Sequence, residues 1–337
     1  KLYKQLKSLY KHMKKALVIG ALGQDGSYMR EHLFSNEFIV VGLCKKKSSI
    51  EKLKWLSSLV PNMEIVEMDI LLDRQSFVDF LQKNQFDQIY NFAAYSNVFS
   101  PYGEFEEVIK TNATMVQFII ESIVKTNIKT KFFQASSCLI YGNSTLVKPT
   151  ENTMPRPIYT YGNAKLFADN IIQDYNIRYI NEGFFGCSGI LFPHESPRRG
   201  NDFFTKKVCK AASIIKNNGG GEFVIGNLSG LRDWSYAPDV VEAAYMMLNN
   251  NSESPENYII GSGELTEISE FVKLAFEYVG LNYLNHIRND EKYSKHSDIN
   301  TLLADYSKIE NNLGWRPSTN VEGIVEHMME FELKNIN

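Results

Sequence analysis

Tyr161 and Lys165 stand four residues apart in the stretch YGNAK. On a helix that spacing puts a phenol and an ammonium on one face. A cation beside a phenol favours the phenolate, so the pair can take the proton of an alcohol while a hydride leaves the same carbon. Ser136 and Ser137 close the run FFQASS, where Ser137 can give the reacting hydroxyl a further hydrogen bond. Well upstream, Gly20, Gly23 and Gly26 punctuate GALGQDG, with Gln24 and Asp25 between them. A glycine turn between a strand and a helix lets backbone N–H groups meet a pyrophosphate. Tyr-x-x-x-Lys alone arises by chance on many amphipathic helices. With the glycine turn before it and the serines between, it reads as a catalytic set of Ser137, Tyr161 and Lys165 beside a dinucleotide.

The elements that must hold this set follow a regular rhythm. Ala16–Gly20, Phe38–Leu43, Met63–Met68, Gln88–Ala93 and Lys131–Ala135 are short apolar runs, expected as buried parallel strands. Asp73–Lys83 and Val108–Lys125 lie between them with helical periodicity. Strands alternating with helices predict an α/β fold, a Rossmann-like doubly wound parallel sheet, over residues 15–190. After Leu191 the rhythm changes: Pro193, Pro197 and Gly200 break a polar stretch, and Asn217–Gly221 reads as a turn. Helical patterns return at Val240–Leu248 and Ser269–Val279. Residues 191–337 are therefore expected to form mainly a smaller C-terminal α/β substrate domain, with some segments returning to the first.

Composition bounds the partners. A net charge of −3 over 337 residues gives no global attraction for nucleic acid or an anionic membrane. The four cysteines (Cys44, Cys138, Cys187, Cys209) lack CxxC spacing, so neither a metal site nor a disulfide framework is expected. Free thiols suit a reducing cytoplasm, the expected location. Residues 1–14 form a basic extension with leucines at helical spacing, read as lacking a catalytic role and the apolar run of a signal peptide. No segment reaches the roughly 18 apolar residues of a membrane span.

The GxxGxxG spacing resembles the short-chain dehydrogenase/reductase superfamily. That resemblance implies that Asp69, after the third strand, holds the adenine amino group, and that Ala93 lines the cofactor. The end of the second strand commonly tells the two nicotinamide cofactors apart: an acid there accepts from ribose hydroxyls, a basic residue meets a 2′-phosphate. Here Cys44 is followed by Lys45, Lys46 and Lys47 with no acid, which favours NADP(H) over NAD(H), the alternative.

The stretches GALGQDGSY (20–28), FFQASS (132–137), YGNAK (161–165), HESPRRG (194–200) and LRDW (231–234) together resemble the GDP-mannose 4,6-dehydratase family of extended short-chain dehydrogenases, from about Lys15 to the LGWRP segment. The resemblance implies a GDP-sugar substrate, a tightly held NADP and a homodimer or homotetramer. Carried over by position, Glu195, Arg199, Lys207, Arg232 and Lys295 would bind substrate, with Lys207, Arg232 and Lys295 at its diphosphate and guanosine. One departure decides the chemistry. Leu139 falls where the family has the glutamate that removes the C5 proton after C4 becomes a ketone, and leucine has no lone pair with which to act as a base. Cys138 beside it is read as a small buried side chain at the substrate rather than a thiolate. Pro193, Ile19, Asn97 and Pro101 are further departures. The expected reaction is oxidation or reduction at C4 of a GDP-sugar of the GDP-mannose or GDP-heptose type, without dehydration. A 4-epimerase, a dehydratase with another base, and a non-catalytic NADP-binding sensor are the alternatives.

Overall fold

A computed structural model describes residues 13–45, 64–98, 104–142, 147–226, 228–290 and 301–336. Most of the basic N-terminal extension, as well as Lys46, Pro101 and Lys295, lies outside them.

The chain divides into two compact units. The first holds residues 1–140, 157–190 and 241–258. Its elements in chain order are β1 (Lys15–Ile19), α1 (Gln24–Ser35), β2 (Ile39–Cys44), β3 (Glu64–Glu67), α2 (Arg74–Asn84), β4 (Gln88–Asn91), α3 (Phe105–Ile109), α4 (Met115–Thr126), β5 (Thr130–Ala135), α5 (Thr160–Tyr179) and β6 (Phe184–Leu191). The strands run β3-β2-β1-β4-β5-β6 across one sheet, every one of these pairs parallel. Tyr258–Ile260 completes its edge. The order reverses between β1 and β4, and this is the crevice in which doubly wound sheets seat their ligands. Leu17, Ile19, Val41, Ile89 and Phe132 of the sheet pack with Ile119, Ile120 and Ile172 of the helices in a fully buried core. Two features were not anticipated. A π-helical turn, Lys110–Thr114, joins α3 to α4 within the expected single helix. The eight buried residues of β6 have no counterpart among the expected strands, because Gly186 and Gly189 interrupt their apolar run.

The second unit holds residues 141–156, 191–240 and 259–337, so a segment within 15–190 belongs to it. It contains β7 (His194–Glu195), α6 (Phe204–Asn217), β8 (Phe223–Ile225), β9 (Leu231–Arg232) and β10 (Ser235–Tyr236). After α7 (Ala237–Asn249), which continues into the first unit, and β11 (Tyr258–Ile260), it adds β12 (Thr266–Glu267), α8 (Ile268–Tyr278), β13 (Ile287–Asn289), α9 (Ser307–Leu313) and α10 (Val321–Lys334). Its small sheets are two-stranded pairs, β7 with β10, β9 with β12 and β8 with β13. Val208 and Ala212 of α6, Phe271 and Phe276 of α8, and Met328 and Met329 of α10 interlock around Trp234 as its core. None of the described helices is long and apolar enough to cross a membrane.

Candidate active site

The glycine turn is fixed by backbone geometry. Gly20 has φ +81°, and a Cβ there would come within 2.7 Å of the Ala93 nitrogen, across the reversal point of the sheet. A Cβ on Gly26 would lie 2.3 Å from the Gly20 carbonyl oxygen. Only glycine at both places lets α1 start this close to β1, with Gly23 as its N-cap and no side chain covering the first N–H groups. Gln24 and Asp25 open the helix, and the Gln24 amide donates to the Asp25 carboxylate at 3.2 Å. The close approach of backbone at Gly20 and Gly26 sets the first turn of α1 against the end of β1 with no side-chain cap at Gly23, a helix N-terminus that fits the pyrophosphate of a dinucleotide.

Ala93 N–H donates to Asn91 Oδ1 at 3.1 Å, Asn91 Nδ2 donates to Gln134 Oε1 at 2.8 Å, and Gln134 Nε2 donates to the Ala135 carbonyl at 2.9 Å. The same carbonyl accepts from Lys165 Nζ at 2.6 Å. Buried amides thus tie the strand ends beneath the glycine turn to the lysine. Lys165 Nζ also lies 5.7 Å from the centre of the Tyr161 ring. Tyr161 packs with Tyr95, Val108, Ala113 and Ala164.

Lys165 is completely buried, which lowers its pKa to about 8 against the opposing pull of Asp169 and Asp25. Asp169, one turn further along α5 and equally enclosed, is pushed up to about 6 by burial, although hydroxyls and Lys165 favour its charged form. Of the two hydroxyls beside it, Ser136 makes a full hydrogen bond at 2.5 Å, while Ser188 lies outside hydrogen-bond geometry.

Ser137 is buried and accepts the Leu139 N–H at 3.2 Å, which leaves its own proton to donate. Cys138–Tyr141 form one 3₁₀ turn, with Cys138 buried and Leu139 half-buried. Asp69 caps its own turn by accepting from the Leu71 and Leu72 N–H groups, and Lys45 pairs with it at 3.6 Å. The two residues expected at different parts of one adenosine are therefore joined.

In the second unit, Glu195 is buried, accepts the Thr205 hydroxyl at 2.6 Å and pairs with Arg199 at 3.1 Å. The Arg199 guanidinium stacks 3.6 Å from the Phe203 ring centre. Neighbouring lysines diverge: Lys206 is buried, donates to the Pro197 carbonyl at 2.8 Å and pairs with Glu332, whereas Lys207 is exposed. Half-buried Arg232 donates to the Leu231 carbonyl.

The residues beneath these were not singled out from sequence. Asp233 gathers the N–H groups of Ser262, Gly263 and Ala304 and the Ser262 hydroxyl. Asn112, inside the π turn, brackets Tyr95 through that residue's N–H and carbonyl. Asp169 had one available signal, its place a turn beyond Lys165. Among the described residues no cluster of three acids, cysteines or histidines could hold a metal ion.

The parallel sheet with a glycine turn at its reversal point, Ser137 after β5, and Tyr161 and Lys165 on α5 make a Rossmann-type fold. The UDP-glucuronic acid 4-epimerase from Bacillus cereus shares that fold, with a TM-score of 0.82 at 22% identity over 95% of this chain and 99% of that one. MoeE5, solved with UDP-glucuronic acid and NAD, superposes with a TM-score of 0.81 at 21% identity over 96% and 100%. The sequence profile of GDP-mannose 4,6 dehydratase matches residues 17–328, and the chain belongs to that family of sugar-nucleotide enzymes. GDP-mannose 4,6 dehydratase 1 of Arabidopsis thaliana is 33% identical over 97% of this chain and 91% of its own length. GDP-mannose 4,6-dehydratase of Yersinia enterocolitica is 30% identical over 96% and 94%.

Proposed function

We propose that this protein oxidises, or in reverse reduces, C4 of a GDP-linked sugar of the mannose or heptose type and leaves the C6 hydroxyl in place. A nicotinamide cofactor in the glycine cradle supplies the hydride acceptor or donor. Gly20, Gly23, Gly26 and Ala93 would hold it, and exposed Lys45 favours the 2′-phosphate of NADP(H). Tyr161 takes the C4 hydroxyl proton, helped by the Lys165 ammonium, and Ser137 donates a hydrogen bond to the same oxygen. Arg199, Lys207 and Arg232 supply positive charge for the diphosphate.

Leu139 carries the reading. Its backbone is held next to Ser137 and Gly162, within the catalytic turn, and its aliphatic side chain has nothing with which to accept the C5 proton. Elimination therefore lacks its base, while the groups for oxidation are all present. The test is mass spectrometry of GDP-mannose and GDP-heptose after incubation with protein and NADP or NAD. A product lighter by two hydrogens supports the reading, and loss of one water overturns it. Tyr161→Phe should cut hydride transfer by about 10² or more. An unchanged rate would remove Tyr161 from the mechanism, and an absence of any transfer would favour a binding role.

A further inference from the structure

Glu195 ends β7, opposite Tyr236 of β10, and the chain then turns twice before α6. Arg199 N–H donates to the Ser196 carbonyl at 3.0 Å, and Phe203 N–H donates to the Gly200 carbonyl at 3.1 Å. The side chains of residues 195, 199 and 203, spaced at intervals of four, meet as a result. Gly200 gives the last of them its room, since a Cβ there would lie 3.2 Å from the Phe203 ring.

Arg199 is held from two directions. Below its plane lies the Phe203 ring, with the guanidinium carbon 3.6 Å from the ring centre. At its inner edge Nε lies 3.1 Å from Glu195 Oε2, an ion pair outside hydrogen-bond geometry. That carboxylate oxygen is itself fixed by the Thr205 hydroxyl at 2.6 Å. The Glu195 side chain is 5% exposed and that of Arg199 19%. Nε is sealed from solvent, whereas the two Nη groups stay accessible and donate no hydrogen bond among the described residues. The anchored edge of the guanidinium faces inward, and its unspent donors face out.

We propose that Glu195 is a positioning residue, which acts through Arg199 to present the two Nη groups to a phosphate of the bound nucleotide. The proposal rests on the reading above that Arg199 serves the substrate's diphosphate. A planar guanidinium offers paired donors that match two phosphate oxygens. A long side chain free to rotate gives up conformational freedom when it makes those bonds, and one already fixed does not. Phe203 sets the plane of the guanidinium by stacking, and Glu195 sets its rotation within that plane. A carboxylate subtracts from the local positive charge, so its contact with Arg199 serves orientation rather than attraction for the ligand.

The test is a double-mutant cycle read by calorimetry on the full chain. GDP is titrated into protein saturated with NADP, and NADP into protein alone. GDP carries no sugar, so the chemistry at C4 plays no part in the outcome. Arg199→Ala and Glu195→Gln should each weaken GDP binding by about tenfold. Glu195→Gln should add nothing further once Arg199 is alanine, because its effect passes through that side chain. Phe203→Leu, which keeps the ion pair and removes the stacking, should show the same lack of additivity. A loss from Glu195→Gln that is equally large in the Arg199→Ala background would overturn the proposal, and so would undiminished binding in Glu195→Gln. If Arg199→Ala weakens NADP and spares GDP, Arg199 moves to the cofactor's phosphates, and non-additivity in the NADP titration then supports the role of Glu195 there. Full affinity for both ligands in Arg199→Ala would overturn the role of Glu195 together with that of Arg199.

Discussion

The carbonyl oxygen of Leu139 stands 2.6 Å from the point where a Cβ on Gly162 would be. The first turn of α5 and the 3₁₀ turn carrying Leu139 can meet only because residue 162 is glycine. Gly162→Ala should therefore push that turn away from Tyr161 and cost about 1–3 kcal/mol. Urea denaturation reads the stability, and a single-turnover hydride transfer assay should show a loss larger than the change in cofactor affinity.

The same contact makes residue 139 a place to restore chemistry. Leu139 is half-buried and its backbone is fixed, so a longer acidic side chain projects from a set position. Leu139→Glu is expected to yield a product that has lost one water from GDP-mannose, detected by mass. If the variant oxidises C4 and never eliminates, the base is missing for a reason other than this side chain.

Asp169 raises the pKa of Lys165, which burial lowers to about 8. Asp169→Asn removes that support, and Lys165 then gives up its proton at a lower pH than in the parent. Because the ammonium favours the Tyr161 phenolate, the decline of hydride transfer on the basic side should move to lower pH. Rates between about pH 6 and 10 test this. A uniform loss at every pH would instead assign Asp169 a purely structural role. Ser136→Ala removes the 2.5 Å hydrogen bond that favours charged Asp169, so the Asp169 pKa should rise and its support of Lys165 weaken, in the same direction as Asp169→Asn.

Glu332 and Lys206 form a buried ion pair, and Lys206 also holds the Pro197 carbonyl of the loop bearing Arg199. Glu332→Gln leaves a buried ammonium without its counter-charge, a loss of about 3–5 kcal/mol. The double substitution of both residues by methionine should recover most of that stability, measured by thermal unfolding. It should still weaken binding of GDP-sugar, because the link to Pro197 is gone.

Much of the first unit was legible because its signals are local. Gly20 and Gly26 sit where backbone contact forbids a side chain, and Tyr161 and Lys165 share a helix face. Groups that act on other groups left no such trace. Asp233 serves residues 262, 263 and 304, far along the chain, and reads in sequence only as part of LRDW. Glu195 reads in sequence only as part of HESPRRG, and its bonds to Thr205 and Arg199 emerge from the fold. Lys206 and Lys207 are identical in composition, and only packing against α10 separates the inner from the outer one. The strand β6 was hidden by its glycines, which make room for α5: a Cβ on Gly186 would meet Ile172 at 2.9 Å.

The π turn at Lys110–Thr114 gives the long rod from Phe105 to Thr126 one surplus residue. Excising a single residue there would let the rod wind uniformly, at a rotation of about 100° per residue. Everything upstream would then swing out of phase. Val108 would leave its seat beside Ala164, and the amide of Asn112 would release Tyr95. The wall behind Tyr161 is thus sensitive to chain length, and a deletion of one residue should harm it more than most replacements of that residue would.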